Sequence, residues 1–129
     1  MGPPLLALED VSKAFGSVQV IDHLTLAVGR DEAVGVIGPN GAGKTTALHL
    51  MAGRLRPDRG RVLFDGRDVT ALPSHARCRA GIAVTHQIPH PFEAMTVFEN
   101  ALVGASFGHG TTGHAGTRHD VTGRPDLVR

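Results

Sequence analysis

A glycine-rich stretch constrains this chain more than any other feature. It satisfies the pattern G-x-x-x-x-G-K-[ST] with the residues Gly38, Pro39, Asn40, Gly41, Ala42, Gly43, Lys44, Thr45 and Thr46. The apolar run 33–37 precedes it, and apolar residues at helical spacing follow it over 44–55. Because the run 33–37 is apolar on both faces, it predicts a central strand of a covered parallel sheet. The sequence therefore predicts an α/β fold in which a strand, a tight loop and a helix follow one another.

The residue types of this loop are those that hold a polyphosphate. Successive backbone amides after a glycine turn point inward, and the helix that follows adds the positive end of its dipole. Glycines let the backbone approach phosphate oxygens without an intervening β carbon. Lys44 supplies a positive charge for the outer phosphates, and the Thr45 hydroxyl is placed to bind Mg²⁺. The loop 38–46 is therefore the predicted nucleotide-binding site.

An antiparallel β portion surrounds the loop in sequence. The ranges 5–15 and 18–28 predict a pair of strands. Residues 61–64 predict a short strand that Asp65 and Gly66 turn back. The same segment imitates an apolar strand that ends in a magnesium-binding aspartate, but the glycine that follows favours a hairpin turn instead.

Smaller elements follow the β portion. The range 74–80 predicts a short helix capped by its first serine and ended by a glycine, and 82–85 predicts a small strand. Thr96 and Glu99 form a capping-box pattern, which opens a helix that we expect to run to about residue 105.

Composition excludes several classes of partner. The 129 residues suit one domain, and 13 basic against 12 acidic side chains leave a net charge of +1. This balance predicts no nucleic-acid partner. The single cysteine, Cys78, fits a reducing compartment. The first residues contain no basic leader, and Leu6 stands where a myristoylation motif needs Ser or Thr, so we expect a soluble chain without a covalent membrane anchor.

The loop and the order of parts around it closely resemble those of ATP-binding cassette (ABC) ATPases. Phe15 precedes the loop on the strand pair, where that family stacks adenine on an aromatic ring. Residues 55–66 look like the family's strand-turn-strand, and Gln87 stands where the family places its Q-loop glutamine. The resemblance implies a P-loop NTPase core of the ABC type with an antiparallel β subdomain, and ATP and Mg²⁺ as cofactors.

The same resemblance assigns roles to single residues. Phe15 and Val20 would contact the nucleotide beside the loop, Lys44 and Gln87 would act in catalysis, and Thr45 and Gln87 would reach the metal. Outside this context Phe15 would read as a core aromatic and Gln87 as a solvated polar residue.

A finer resemblance follows the glutamine. Residues 85–92 and 95–100 are similar to the ATP-binding subunits of branched-chain amino acid importers, and urea importers share much of this pattern. It implies a cytoplasmic motor subunit on the inner face of the membrane, with transmembrane permease subunits and a second ATP-binding subunit as partners. Phe92 and Met95 lie in the segment that would touch the permease, whereas we expect Phe98 to pack under its own helix.

The resemblance is visible over about residues 5–107. We therefore expect residues 1–105 to be the N-terminal part of an ABC domain, truncated before the signature and Walker B regions, and 106–129 to be a tail without assignable structure. The family's signature loop needs Leu-Ser-Gly-Gly-Gln, and its Walker B strand ends in Asp-Glu. The sequence has no Ser-Gly-Gly and no Asp-Glu after an apolar run. Because these groups position water and neutralise charge, we expect little or no hydrolysis by these residues alone.

Alternatives remain open at this point. The chain could be a catalytically incomplete nucleotide-binding fragment of such a subunit, or an enzyme of another phosphate-loop family. The tail could be an out-of-frame translation or a diverged segment. Its histidines His109, His114 and His119 are spaced five apart, which suits neither one helix face nor one strand face for a metal.

Overall fold

A computed structural model describes residues 2–107. The predicted features of the tail beyond residue 107, including its three histidines, lie outside the described residues. Within them, no helix combines the length and the apolar character needed to cross a bilayer. The elements in chain order are β1 Leu6–Phe15, β2 Val18–Val28, α1 Lys44–Met51, β3 Arg59–Phe64, β4 Arg67–Asp68, α2 Ser74–Ala80 and α3 Val97–Phe107.

The four strands form one antiparallel sheet in the order β2-β1-β3-β4. β1 and β2 are joined by a tight turn that brings Phe15 opposite Val18, which confirms the predicted strand pair. Asp65 lies in the turn between β3 and β4 with a positive φ of 50°, followed by Gly66 at 73°. Positive φ at both positions is typical of a two-residue hairpin. Asp65 therefore belongs to a turn, as predicted, and does not end a metal-binding strand.

The core lies between one face of this sheet and α1. Leu8 and Val11 from β1, Val62 from β3 and Leu50 from α1 are fully buried, and Ile21 of β2 is nearly so. Burial of such side chains contributes about 1.5–3 kcal/mol each relative to leaving them exposed. The sheet thereby fixes the position of α1, whose first residue belongs to the glycine-rich loop.

The helix α1 is shorter than the sequence pattern predicts, and it presents a different face to the core. It ends at Met51, and its buried residues are Ala47, Leu50 and Met51. Leu48, which the predicted periodicity placed in the apolar face, is 50% exposed. The spacing correctly predicted a helix. Which face of that helix is buried depends on the sheet that packs against it.

A buried arginine closes the C-terminal end of α1. Arg77 of α2 is fully buried, and its Nη1 donates to the carbonyl oxygens of Leu50 at 2.6 Å and Met51 at 2.9 Å. Its Nε donates to the Leu72 carbonyl at 3.0 Å and its Nη2 to the Thr70 carbonyl at 3.0 Å. Carbonyls at a helix end need such partners. Arg77 therefore ties α1 and the segment after β4 to α2.

Two predicted strands are wrong. Residues 33–37 do not form a strand: they pair with none of the four described strands, and Ile37 is 98% exposed. Residues 82–85 carry no strand pairing within the described range either. A strand that is apolar on both faces needs neighbours on each side. The apolar pattern alone does not supply those neighbours.

The helix ends were predicted with mixed success. Ser74 is the first helical residue of α2 and follows Pro73, which has no side-chain capping bond, so the predicted serine cap is wrong. Gly81 ends that helix as predicted. The capping box of α3 is confirmed, because the Thr96 amide donates to Glu99 Oε2 at 2.7 Å and the Glu99 amide to Thr96 Oγ1 at 3.2 Å.

The expected packing of one aromatic residue is also wrong. Phe98 on α3 is 70% exposed and does not pack under its helix. The helix itself runs slightly beyond the predicted end, to Phe107.

Candidate nucleotide-binding site

The glycine-rich loop forms a tight turn directly before α1. The Ala42 amide donates to the Pro39 carbonyl at 3.2 Å, which closes the turn. Gly41 and Gly43 take φ values of 84° and 85°, in the left-handed region that other residues rarely adopt. The pattern's two later glycines are therefore needed for the path of the backbone, whatever the loop binds.

Lys44 folds its side chain back over the loop. Its Nζ donates to the carbonyl oxygens of Gly38 at 2.5 Å and Pro39 at 2.6 Å. An ammonium group has three donors, so a third remains for another acceptor. Phosphate oxygens are stronger acceptors for an ammonium than neutral carbonyls are. The loop thus holds a positive charge at its mouth that an anion can recruit.

The N-terminus of α1 adds further donors. The first intrahelical bond runs from the Ala47 amide to the Gly43 carbonyl at 2.8 Å. The amides of Lys44, Thr45 and Thr46 precede that bond and have no intrahelical acceptor. The first turn of α1 contains no acidic residue, so no carboxylate neutralises the positive end of the helix. This end of the helix is suited to an anion.

Val20 anchors the loop to the sheet. A β carbon at Gly43 would lie 2.9 Å from the Val20 carbonyl oxygen and 3.4 Å from its Cγ1. The head of α1 therefore packs directly against β2, a few residues from the turn that follows Phe15. The predicted nucleotide contacts Val20 and Gly43 are brought together by this packing.

Phe15 lies at the end of β1 and is 47% exposed. The Nζ of Lys13 lies over that ring, 5.7 Å from its centroid. An exposed aromatic ring at a strand end is available for stacking with a base. Phe15 is therefore a surface aromatic and does not belong to the core.

Gln87 lies exposed in a bend, and among residues 2–107 no hydrogen bond or ion pair joins it to the loop. Its neighbour His86 bonds instead to Arg54, with 2.6 Å between His86 Nε2 and Arg54 Nη2. The predicted role of Gln87 stays a prediction.

The loop fits a polyphosphate with magnesium. A β carbon at Gly41 would meet no atom within 4 Å, so the loop is open at that point. The Thr45 side chain is exposed at the head of α1. In the described part of the chain, no group of three or more His, Cys, Asp or Glu side chains converges as a metal site. Mg²⁺ is usually held by one or two protein oxygens together with substrate phosphates, and the Thr45 hydroxyl is a candidate for such an oxygen.

Sequence reasoning missed one residue near this site. The sequence pattern predicts Asp58 only as part of a turn, yet its carboxylate accepts hydrogen bonds from Lys13 Nζ at 2.7 Å and from the Ala14 amide at 2.8 Å, directly before Phe15. No local pattern connects Asp58 with β1, because 44 residues separate it from Ala14 along the chain.

Comparison with known proteins places the chain in a family. The sequence profile of the ABC transporter family matches residues 21–125, which is more than half of the chain. This chain belongs to the ABC transporter family. The match includes the phosphate loop and continues past residue 107, where the visible resemblance was expected to stop.

Relatives with different transported solutes are similar to this ABC protein. It is 39% identical over 98 residues to the lipopolysaccharide export ATP-binding protein LptB of Haemophilus influenzae, covering 76% of this chain and 41% of LptB. It is 39% identical over 120 residues to the probable branched-chain amino acid transport ATP-binding protein LivG of Archaeoglobus fulgidus, covering 93% and 45%. It is 46% identical over 105 residues to the ribose import ATP-binding protein RbsA 2 of Streptomyces avermitilis, covering 80% and 21%.

Solved structures confirm the fold. A nucleotide-free ATP-binding cassette of an ABC transporter superposes with a TM-score of 0.71 at 37% identity, covering 78% of this chain and 40% of the cassette. A cassette in its ADP conformation gives 0.73 at 35% identity, covering 81% and 41%. The chain thus has the fold of an ABC cassette, as predicted, and it spans less than half the length of the curated relatives it matches.

Proposed function

We propose that this chain is the nucleotide-binding part of an ABC transporter's ATP-binding subunit and holds ATP with Mg²⁺ on the loop 38–46. The observation that carries the proposal is the Lys44 ammonium, which bonds the carbonyls of Gly38 and Pro39 at the head of a helix without acidic residues in its first turn. A polyphosphate would meet that ammonium, the free amides of the loop and the helix dipole together.

Each part of the nucleotide has a candidate partner. Lys44 would bind the outer phosphates, the Thr45 hydroxyl would be a magnesium ligand, and Phe15 would stack on the base beside Val20. Gln87 would reach the metal or the attacking water when the site closes. When bound, magnesium would neutralise charge on the phosphates.

A calorimetric titration tests this proposal. Lys44→Ala removes the ammonium, and we expect the affinity for Mg²⁺-ATP to fall by at least about tenfold, since a charge-assisted hydrogen bond contributes about 1.5–3 kcal/mol. Arg67→Ala is the matched control, because Arg67 is an exposed cation on β4, at the opposite edge of the sheet from β2. Unchanged ATP affinity in Lys44→Ala would refute the proposal.

We further infer that the transporter imports a branched-chain amino acid. Residues 85–92 and 95–100 support this inference, together with LivG, whose match extends over 93% of the chain. Exposed apolar side chains along this segment (Ile88, Phe92 and Met95) would face transmembrane permease subunits. A second ATP-binding subunit would complete the site, and the subunit would lie on the cytoplasmic face of the membrane.

Uptake measurements distinguish the solutes. In the source organism, Lys44→Ala in the chromosomal gene should lower uptake of labelled leucine, while uptake of labelled ribose stays unchanged. Loss of ribose uptake with intact leucine uptake would overturn the solute assignment and leave the nucleotide site unaffected.

A second candidate is a nucleotide-binding fragment without catalysis. The observation that favours it is the sequence itself, which has no Ser-Gly-Gly and no Asp-Glu after an apolar run. Both candidates bind ATP through Lys44, so hydrolysis is the property that separates them.

A further inference from the structure

We propose that Asp58 is a positioning residue that sets the Phe15 ring for stacking on the nucleotide base. The inference rests on the proposed function, because it concerns the base end of the same site. Asp58 is a charged residue directly before β3, and it would act on the base end of the site through its neighbours on β1.

Asp58 holds three consecutive residues of β1 immediately before Phe15. Its backbone amide donates to the Ser12 carbonyl at 2.9 Å. Its Oδ1 accepts from Lys13 Nζ at 2.7 Å, and its Oδ2 accepts from the Ala14 amide at 2.8 Å. Both carboxylate oxygens and the backbone of one residue are thus committed to the end of a single strand.

The sheet explains why this end of β1 needs such support. β1 pairs with β3 as far as Ser12, which lies opposite Arg59. Its pairing with β2 also shifts register between Lys13 and Ala14. The Ala14 amide therefore has the Asp58 carboxylate as its acceptor on the side where β3 no longer pairs. A side chain replaces the missing strand.

The carboxylate also fixes what lies against the ring. The Lys13 side chain is only 16% exposed, and its Nζ stands over the Phe15 ring while bonded to Asp58. A cation over one face of an aromatic ring is attracted by the negative charge of that face. Asp58 thereby holds an ammonium against the ring of Phe15, a residue that is 47% exposed.

The hydrogen bonds from Lys13 and the Ala14 amide lower the pKa of the Asp58 carboxyl below its usual value, so the group is ionised at neutral pH. The carboxylate end of the ion pair is exposed, with the Asp58 side chain 49% accessible. An ion pair at the surface contributes little to global stability. The consequence of removing its charge should therefore be local, at the end of β1.

Two ligands separate positioning from general folding. ATP carries a base, whereas inorganic tripolyphosphate has only the phosphate chain and would bind the loop alone. We would titrate both, with Mg²⁺, into the wild-type chain, Asp58→Asn and Asp58→Ala. Asn keeps an oxygen for the Ala14 amide but loses the charge that holds Lys13. Glu9→Gln is the control, because Glu9 is also on β1 and pairs with Arg61 at 2.8 Å, away from Phe15.

We expect Asp58→Asn to weaken ATP about threefold to tenfold and Asp58→Ala to weaken it more, with tripolyphosphate affinity unchanged in both. Phe15→Ala should weaken ATP by about tenfold, the effect of losing one stacked base. In that background Asp58→Asn should have almost no further effect, because there is no ring left to position.

Other outcomes overturn the inference. Equal losses for ATP and tripolyphosphate would make Asp58 a structural residue, and so would an undiminished effect of Asp58→Asn in the Phe15→Ala chain. Unchanged ATP affinity in both variants would remove any role for Asp58. If the wild-type chain binds neither ligand, the proposed function itself is overturned. If the wild-type chain binds both ligands and Asp58→Asn binds them equally well, only the inference about Asp58 fails.

Discussion

The backbone of Gly43 lies so close to Val20 that a β carbon at position 43 would stand 2.9 Å from the Val20 carbonyl oxygen. This approach joins the head of α1 to β2. It places the phosphate loop beside the strand pair that ends in Phe15. The fit of the two backbones therefore decides the spacing between the phosphate end and the base end of the proposed nucleotide site.

Gly43→Ala should destabilise the chain and weaken ATP binding together. The new methyl group would require both an unfavourable φ of 85° and a shift of α1 away from β2. Left-handed strain alone costs about 1–3 kcal/mol, and the collision adds to it. Urea unfolding followed by circular dichroism measures the loss of stability.

Gly41→Ala is the matched control for this prediction. Gly41 has nearly the same φ of 84°, but a β carbon there would meet nothing within 4 Å. It should therefore show the strain without the collision and cost less stability than Gly43→Ala. Equal losses in the two variants would contradict a close contact between Gly43 and Val20.

Features built from neighbouring residues were predictable from the sequence. The loop before α1, the turn at Asp65 and the capping box of Thr96 and Glu99 all form within a few residues, so their patterns carry the needed physics. The run 33–37 was not predictable in this way. Its apolar residues are of the types found in a buried strand. Whether they form a strand, however, depends on pairing with segments elsewhere in the chain.

Arg77→Met should be among the more destabilising substitutions in the chain. It leaves the buried carbonyl of Met51 without its donor and that of Leu50 with only the Gly53 amide, at 3.3 Å. An unsatisfied buried group costs about 1–3 kcal/mol. Burial lowers the pKa of Arg77, but a guanidinium remains charged in proteins. We expect a loss of about 2–4 kcal/mol in the free energy of unfolding, measured with urea.

Arg79→Met on the same helix is the control. Arg79 is exposed, so its loss should change stability by no more than about 0.5 kcal/mol. Comparable effects of the two substitutions would show that the Arg77 bonds to the end of α1 contribute nothing. The sequence offers no sign of this role, since Arg77 and Arg79 are alike in type and neighbouring in position.

The first turn of α3 should lose protection in acid. Hydrogen bonds from the Thr96 amide and then the Thr96 hydroxyl lower the pKa of Glu99 below its ordinary 4.5. The unfolded helix end therefore binds a proton at higher pH than the folded end. The stabilisation is fully present above pH 4.5 and is lost as the pH falls through the lowered pKa.

Amide hydrogen exchange across this pH range checks that prediction. Protection factors at the start of α3 should fall in acid in the wild type and be low and independent of pH in Glu99→Gln. Glu93→Gln, a nearby carboxylate outside the capping box, should behave as the wild type does. The same acid response in Glu99→Gln as in the wild type would assign the effect to another group.

The candidate site was predictable only in part for the same physical reason. The phosphate end is one continuous segment, so its pattern identified Lys44 and the glycines directly. The base end depends on Asp58 reaching across to β1, a contact between distant segments that no local pattern reveals. Gln87 was predictable in part. Its neighbours resemble a known motif, but its position depends on how the segment 82–96 packs against the rest of the chain.

The 129 residues should bind ATP without hydrolysing it at an ordinary rate. Phosphoryl transfer depends on positioned water and on charges around the outer phosphate. The described residues offer Lys44, and within them no hydrogen bond joins Gln87 to the loop. The sequence also has no Ser-Gly-Gly and no Asp-Glu after an apolar run to supply the remaining groups. Phosphate release by the wild type should therefore match that of Lys44→Ala, while calorimetry shows that the wild type binds ATP at least about tenfold more tightly. A full-length ABC ATP-binding subunit is the positive control for the assay. Turnover of about 1 s⁻¹ or faster, abolished in Lys44→Ala, would contradict the prediction and exclude the fragment without catalysis.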